Sequence, residues 1–173
     1  MALMSNVRLA KIILSLLFII AIIIPLFYIN HLPARVASHF DFNNQADSWM
    51  SKTGYLFFHY GIIFFFYMVF WGLSIVIPKF PTSMINIPHK NYWLHEVRKT
   101  ITIATIQAML LWIGNVCLAL FIYIFYEILN ANVTGSQHIS SFSWVSVILF
   151  LVATTLIVIK YIMFFTQKEN QLD

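Results

Sequence analysis

Charged side chains are what this sequence has least of. Lys, Arg, Asp and Glu make up 9% of its 173 residues, against about 25% in a soluble globular domain, and that deficit excludes an ordinary water-soluble fold. Acidic residues are the scarcer sign, six against ten Lys and Arg. The net charge of +4 is nonetheless no nucleic-acid footprint, because the basic residues stand at the borders of apolar runs and form no single stripe. With one cysteine, Cys117, no intrachain disulfide can form, and its place inside an apolar run reads as small apolar packing. The chain has no His-Glu-x-x-His pair and no serine or cysteine in a nucleophile-elbow context, so neither signature marks a hydrolase. Nor is there an internal repeat or inverted symmetry of the transporter kind.

What the chain does have is apolar length. Hydrophobic residues reach 61%, and four runs, about 12–29, 55–77, 101–126 and 144–165, approach or exceed the ~20 residues needed to cross a bilayer. The expected fold is all-α: an integral membrane four-helix bundle, one domain over 1–173, with a structured outer loop between helices 1 and 2. The first run is expected to stay uncleaved, since Ile22 to Tyr28 offers no small-x-small site. Pro25 near its far end frees a carbonyl that neighbouring helices can satisfy. Gly61 and Gly72, eleven residues apart, fall within ~20° on one helix face. They mark either a close helix approach or the ordinary frequency of glycine in membrane helices. Gln107 and Asn115 in the third run read as packing glue, Glu127 as its exit. Ser143, Ser146 and Thr154 in the fourth run are expected against another helix. Lys160 is placed to snorkel, and the tail from Thr166 onward to fray.

The runs are organised around a polar island, Leu32 to Gly54, too long for an idle connection. Its informative residues are Pro33, His39, Phe40, Asp47, Trp49 and Lys52. His31, His39, Asp41, Asp47, His59, Glu127 and His138 gather on the same side of the membrane, where imidazoles and carboxylates can ligate Zn²⁺ or exchange protons. No pair among them has metal-site spacing, so no cofactor is expected. Two readings of the island stand together. In one, His39 and Asp47 satisfy loop amides and Lys52, closing the loop as a lid with Trp49 at the headgroups. In the other, the same residues recognise a ligand or partner.

The second polar segment, residues 78–99, is broken by Pro78, Pro81 and Pro88. Tyr92 and Trp93 with Arg98 and Lys99 then read as an interfacial belt. Such cations contact anionic lipid at about 1 kcal/mol each, dock a cytoplasmic protein, or simply fix topology. Orientation follows from the count of Lys and Arg: eight lie on the side of the termini and the 78–99 segment, two (Arg35 and Lys52) on the other. The expectation is two cytoplasmic termini and an outward-facing island.

Two motifs carry a family resemblance. Leu32-Pro33, His39-Phe40, Asp47, Trp49 and Ser51-Lys52 resemble the pattern LP…HF…(G/A)D.W.SK, and Ile87-Pro88-His89-Lys90-Asn91-Tyr92-Trp93-Leu94 is similar to a second signature, roughly (I/L)PNK.YWL. Both belong to an uncharacterised bacterial membrane-domain family, also found as the N-terminal part of SdpI-type toxin-immunity proteins. The resemblance implies a bacterial inner-membrane protein, for which the sequon Asn132-Val133-Thr134 carries no meaning. It also implies a non-enzymatic role in toxin immunity or membrane signalling. Full-length immunity proteins of this type carry further helices, so an accessory subunit of a larger membrane complex is an expectation beside it. The expected partners are the lipid bilayer and a membrane protein or second copy, with no nucleic acid. A metal-dependent membrane enzyme and a small transporter are the alternatives.

Overall fold

A computed structural model describes residues 6–167. Five helices and two strands follow one another as α1 (Val7–Tyr28), β1 (Arg35–Phe40), β2 (Ala46–Ser51), α2 (Lys52–Val76), α3 (Lys90–Trp93), α4 (Glu96–Thr134) and α5 (Phe142–Thr166). Four of them, α1, α2, α4 and α5, are long and apolar enough to cross a membrane. The tail expected to fray lies, beyond Gln167, outside the described residues, as does Lys168.

Local chemistry sets the helix boundaries. Asn6 caps α1 by accepting the Leu9 N–H at 2.9 Å, and Ser51 caps α2 by accepting from Gly54 at 3.1 Å. Glu96 stands in the first turn of α4, where the positive end of the helix dipole favours a carboxylate. Gly135 ends that helix with φ 71°, the left-handed conformation that glycine adopts without steric cost.

At 39 residues, α4 is roughly 58 Å long by its rise per residue, well beyond the ~30 Å hydrocarbon core. The helix itself runs past the expected exit at Glu127, as far as Thr134. Residues 128–134 continue the helix with Ile128, Leu129 and Ala131 buried against the rest of the structure. Those extra turns carry the outer structure.

The core lies between α1, α2 and α4. Ala10, Leu14 and Ala21 meet Tyr55 and Ile63 of α2 and Leu111, Leu118, Phe125 and Leu129 of α4. The fourth long helix, α5, packs along α4 and buries little of itself, its buried residues being Ser143, Tyr161 and Phe165. The arrangement is thus three mutually packed helices with a flanking fourth.

Polar side chains tie the helices as the amide reading expected. Gln107 donates to Ser74 O at 2.6 Å and Asn115 to Ala10 O at 3.2 Å. Of the two readings of Gly61 and Gly72, the space around them favours the ordinary frequency of glycine in membrane helices. A Cβ on Gly61 or Gly72 would meet nothing within 4 Å, whereas one on Gly114 would lie 2.6 Å from Cγ of Phe70. The close approach is between α2 and α4, at a glycine that no spacing singled out.

The all-α expectation needs one correction. The island between α1 and α2 is an antiparallel β-hairpin, with Arg35 opposite Ser51, Val36 opposite Met50 and Ala37 opposite Trp49. The register shifts on either side of His39, which blurs the alternation that would have announced a strand.

Candidate functional site

The hairpin owes its turn to Asp41. Its carboxylate accepts the N–H groups of Asn43 at 2.8 Å and Gln45 at 2.9 Å, and Asn44 takes the left-handed region at φ 61°, as asparagine readily does. Main-chain bonds from Asp41 to Gln45 O and from Asn44 to Asp41 O complete the turn. The Gln45 amide, foremost, holds the Asp41 carboxyl below its ordinary value; desolvation opposes it, and the Asn43 amide and then His138 add to the lowering.

The hairpin is held to the helices from three directions. Asn132 in the last turn of α4 accepts the Ala37 N–H at 2.7 Å and donates to Ala37 O at 2.9 Å. One side-chain amide thus satisfies both main-chain groups of a residue at the bulge. The connection from α4 to α5 pairs along the turn, with Ala46 donating to Gln137 O at 2.8 Å and Ile139 to Asn44 O at 3.1 Å. Trp144, in the first turn of α5, donates from its indole to Phe42 O at 3.3 Å and stacks on the Phe42 ring at 5.8 Å. Glu127 stabilises the same connection by accepting the Ser140 N–H at 3.0 Å.

The sequence-predicted residues divide between the two ends of the molecule. Six belong to the hairpin region. His39 and Asp47 meet, Nδ1 to Oδ1 at 2.5 Å, on the solvent side, with 67% and 46% of their side chains exposed. Asp47 falls where the ladder shifts register, between Ala46 and Ser48, and Trp49, opposite Ala37, stays 43% exposed. Pro33 is exposed before β1, and Phe40 is half-buried at its end.

Lys52 departs from the expected network. It is the first residue of α2, its N–H bonds Ala34 O at 3.0 Å, and the one ion pair among the described residues is His39 with Asp47. The loop amides are likewise satisfied by Asp41, Asn132 and the Gln137 carbonyl in place of His39 and Asp47.

The other three lie at the opposite end. The Arg98 guanidinium sits 3.9 Å over the Tyr92 ring, a cation–π contact. Trp93 donates from Nε1 to Phe165 O at 2.8 Å and accepts, through its carbonyl, from Thr102 Oγ1 at 2.7 Å. Trp93 therefore ties α5 to the start of α4 and is no free interfacial anchor.

The imidazoles and carboxylates expected to gather on one side do not converge. No group of three His, Cys, Asp or Glu stands close enough to hold a metal ion among the described residues. His59 is drawn out of that set altogether. It is 1% exposed, and its Nε2 donates to Ala21 O at 3.0 Å. The residues that sequence reasoning passed over are Asp41 as turn-maker, Phe42, Trp144 and above all Asn132. Asn132 carries no local signal of this role, because its partner Ala37 lies 95 residues away along the chain.

Four membrane-length helices and a hairpin cap built on the longest of them define a multi-pass membrane protein. Within it, residues 16–64 match the model of a family described as a domain of unknown function, DUF1648. The match runs from the middle of α1 through the hairpin into α2. It takes in the first of the two motifs and stops short of the second, at Ile87 to Leu94. No curated protein and no solved structure matches the chain.

Proposed function

We propose that the chain is a non-enzymatic membrane protein that recognises a protein partner with its hairpin cap. One observation carries this reading. The hairpin backbone is held by Asn132, by main-chain bonds to Gln137 and Ile139, and by Trp144, while Phe42 and Trp49 remain 87% and 43% exposed. Aromatic side chains presented on a backbone already held in place are the economical way to bind, because little ordering entropy remains to be lost. His39 and Asp47 add a polar pair beside Trp49, suited to the rim of such a contact.

On this reading the cap faces outward and both termini are cytoplasmic, as the Lys and Arg distribution favours. The setting is a bacterial inner membrane, and the role is immunity-like, signalling or that of an accessory subunit, in line with the resemblance to SdpI-type proteins. The test is co-purification from native membrane at low detergent with wild type, Phe42→Ala and Trp49→Ala. The expected result is loss of the bound partner in both variants, with Trp49→Ala within about 0.5 kcal/mol of wild type in stability, as for surface changes, and Phe42→Ala lower by about 0.5–1.5 kcal/mol for its lost stacking on Trp144. Equal partner retention by all three would overturn the proposal.

A further inference from the structure

At the end opposite the hairpin, the 77–88 segment roofs a crevice of about 360 Å³ between α4 and α5, within the roughly 300–1,000 Å³ of small-ligand sites. Its walls are apolar: Ile77 and Met84 from the roof, Ile106 and Met109 from α4, Ile162 and Phe165 from α5. The roof is built to stand. Turns at Ile77–Lys79 and Thr82–Met84 close with bonds from Phe80 to Ile77 O and from Met84 to Pro81 O, and Ile85 anchors the segment in the adjoining core cluster. Pro78, Pro81 and Pro88 fix φ along it.

Two lysines belong to the segments that border this apolar slot. Lys79 is exposed and stands between the lining residues Ile77 and Phe80, and Lys90 donates to Ser83 O at 2.9 Å, beside the lining residue Met84. Against them, Glu96 is the one carboxylate at this end among the described residues, since Asp41, Asp47 and Glu127 all belong to the hairpin end. The crevice also opens toward the lipid-facing side of α5, where Ile162 is 51% exposed. From the apolar slot, the bordering lysines and the lateral opening together, we infer that the crevice binds one anionic phospholipid of the adjoining leaflet. An acyl chain lies between α4 and α5 and the phosphate at Lys79 and Lys90. This site is separate from the hairpin, and neither proposal depends on the other.

Native mass spectrometry of delipidated protein titrated with phosphatidylglycerol or phosphatidylcholine of equal chain length tests it. Wild type is expected to hold one phosphatidylglycerol in preference to phosphatidylcholine, by roughly 5-fold for each of the two lysines. Met109→Trp fills the slot and is expected to abolish retention of both lipids. Lys79→Gln with Lys90→Gln, on the surface and without risk to the core, is expected to leave binding but erase the preference. Undiminished retention by Met109→Trp would overturn the inference. So would an unchanged preference in the double lysine variant, or a bound peptide in place of lipid.

Discussion

His59 gives Ala21 the hydrogen bond that Pro25 withholds. In α1 the carbonyl of Ala21 would ordinarily accept from the residue four positions on, but that residue is Pro25 and has no N–H. The His59 Nε2 fills the place at 3.0 Å. A carbonyl can only accept, so Nε2 carries the proton. A phenol from the next residue, Tyr60, reaches the adjacent Ile22 carbonyl at 3.5 Å. The proline and the histidine are one structural unit, and their effects should be coupled. His59→Phe is expected to cost about 1–3 kcal/mol, the penalty of a buried carbonyl left without a donor. In the Pro25→Ala background the same change should cost clearly less, because the alanine N–H returns to Ala21 O. Denaturation of the four proteins in detergent measures the coupling, and additive losses would refute it.

Asn132 is expected to hold the hairpin more than the bundle. Asn132→Ala leaves both main-chain groups of Ala37 without partners, at about 1–3 kcal/mol if they stay buried. The hairpin opens instead when that is cheaper. Hydrogen exchange should therefore accelerate across residues 35–51 while the amides of α1 and α2 keep their protection. Uniform acceleration over the whole chain would show that the asparagine serves global stability.

Asp41 makes the hairpin acid-sensitive. Its folded pKa lies below the ordinary value of 3.8, so its contribution is whole above that value and is lost as the pH falls through the folded pKa. Thermal unfolding of the hairpin between pH 6 and pH 2 should show this loss in wild type. Asp41→Asn should be weaker at neutral pH and flatter in acid. Identical acid profiles for the two would remove Asp41 from the turn.

Gly114 should be intolerant of a methyl group and Gly61 indifferent to one. Gly114→Ala pushes a Cβ to 2.6 Å from Cγ and 2.8 Å from Cβ of Phe70, atoms close to the backbone that cannot swing away. Overpacking of this kind costs about 1–3 kcal/mol. Gly61→Ala meets open space and should be neutral or stabilising by up to about 1 kcal/mol through helix propensity. Melting temperatures of the two variants in one detergent decide the matter, and a reversed order would contradict the α2–α4 contact.

Some of this was decided by the sequence alone. Four apolar runs in a chain so poor in charge have no stable place in water, so the number of long helices and their approximate extents follow from composition. Gln107 and Asn115 were legible as inter-helix ties for the same reason: an amide in an apolar helix has few partners other than a neighbouring backbone. That the island is structured was legible too, from its length and mixed chemistry. Its form was not. Strands of six residues with shifted register leave no clean alternation to read, and what stabilises them comes from Asn132 and Gln137, some 95 residues along the chain. Likewise nothing local in the sequence links His59 to the carbonyl that Pro25 frees, or chooses Gly114 over Gly61 for the close approach. Those assignments depend on which helix faces meet, and a helix with apolar residues on every side does not declare its face. Only the tertiary packing does.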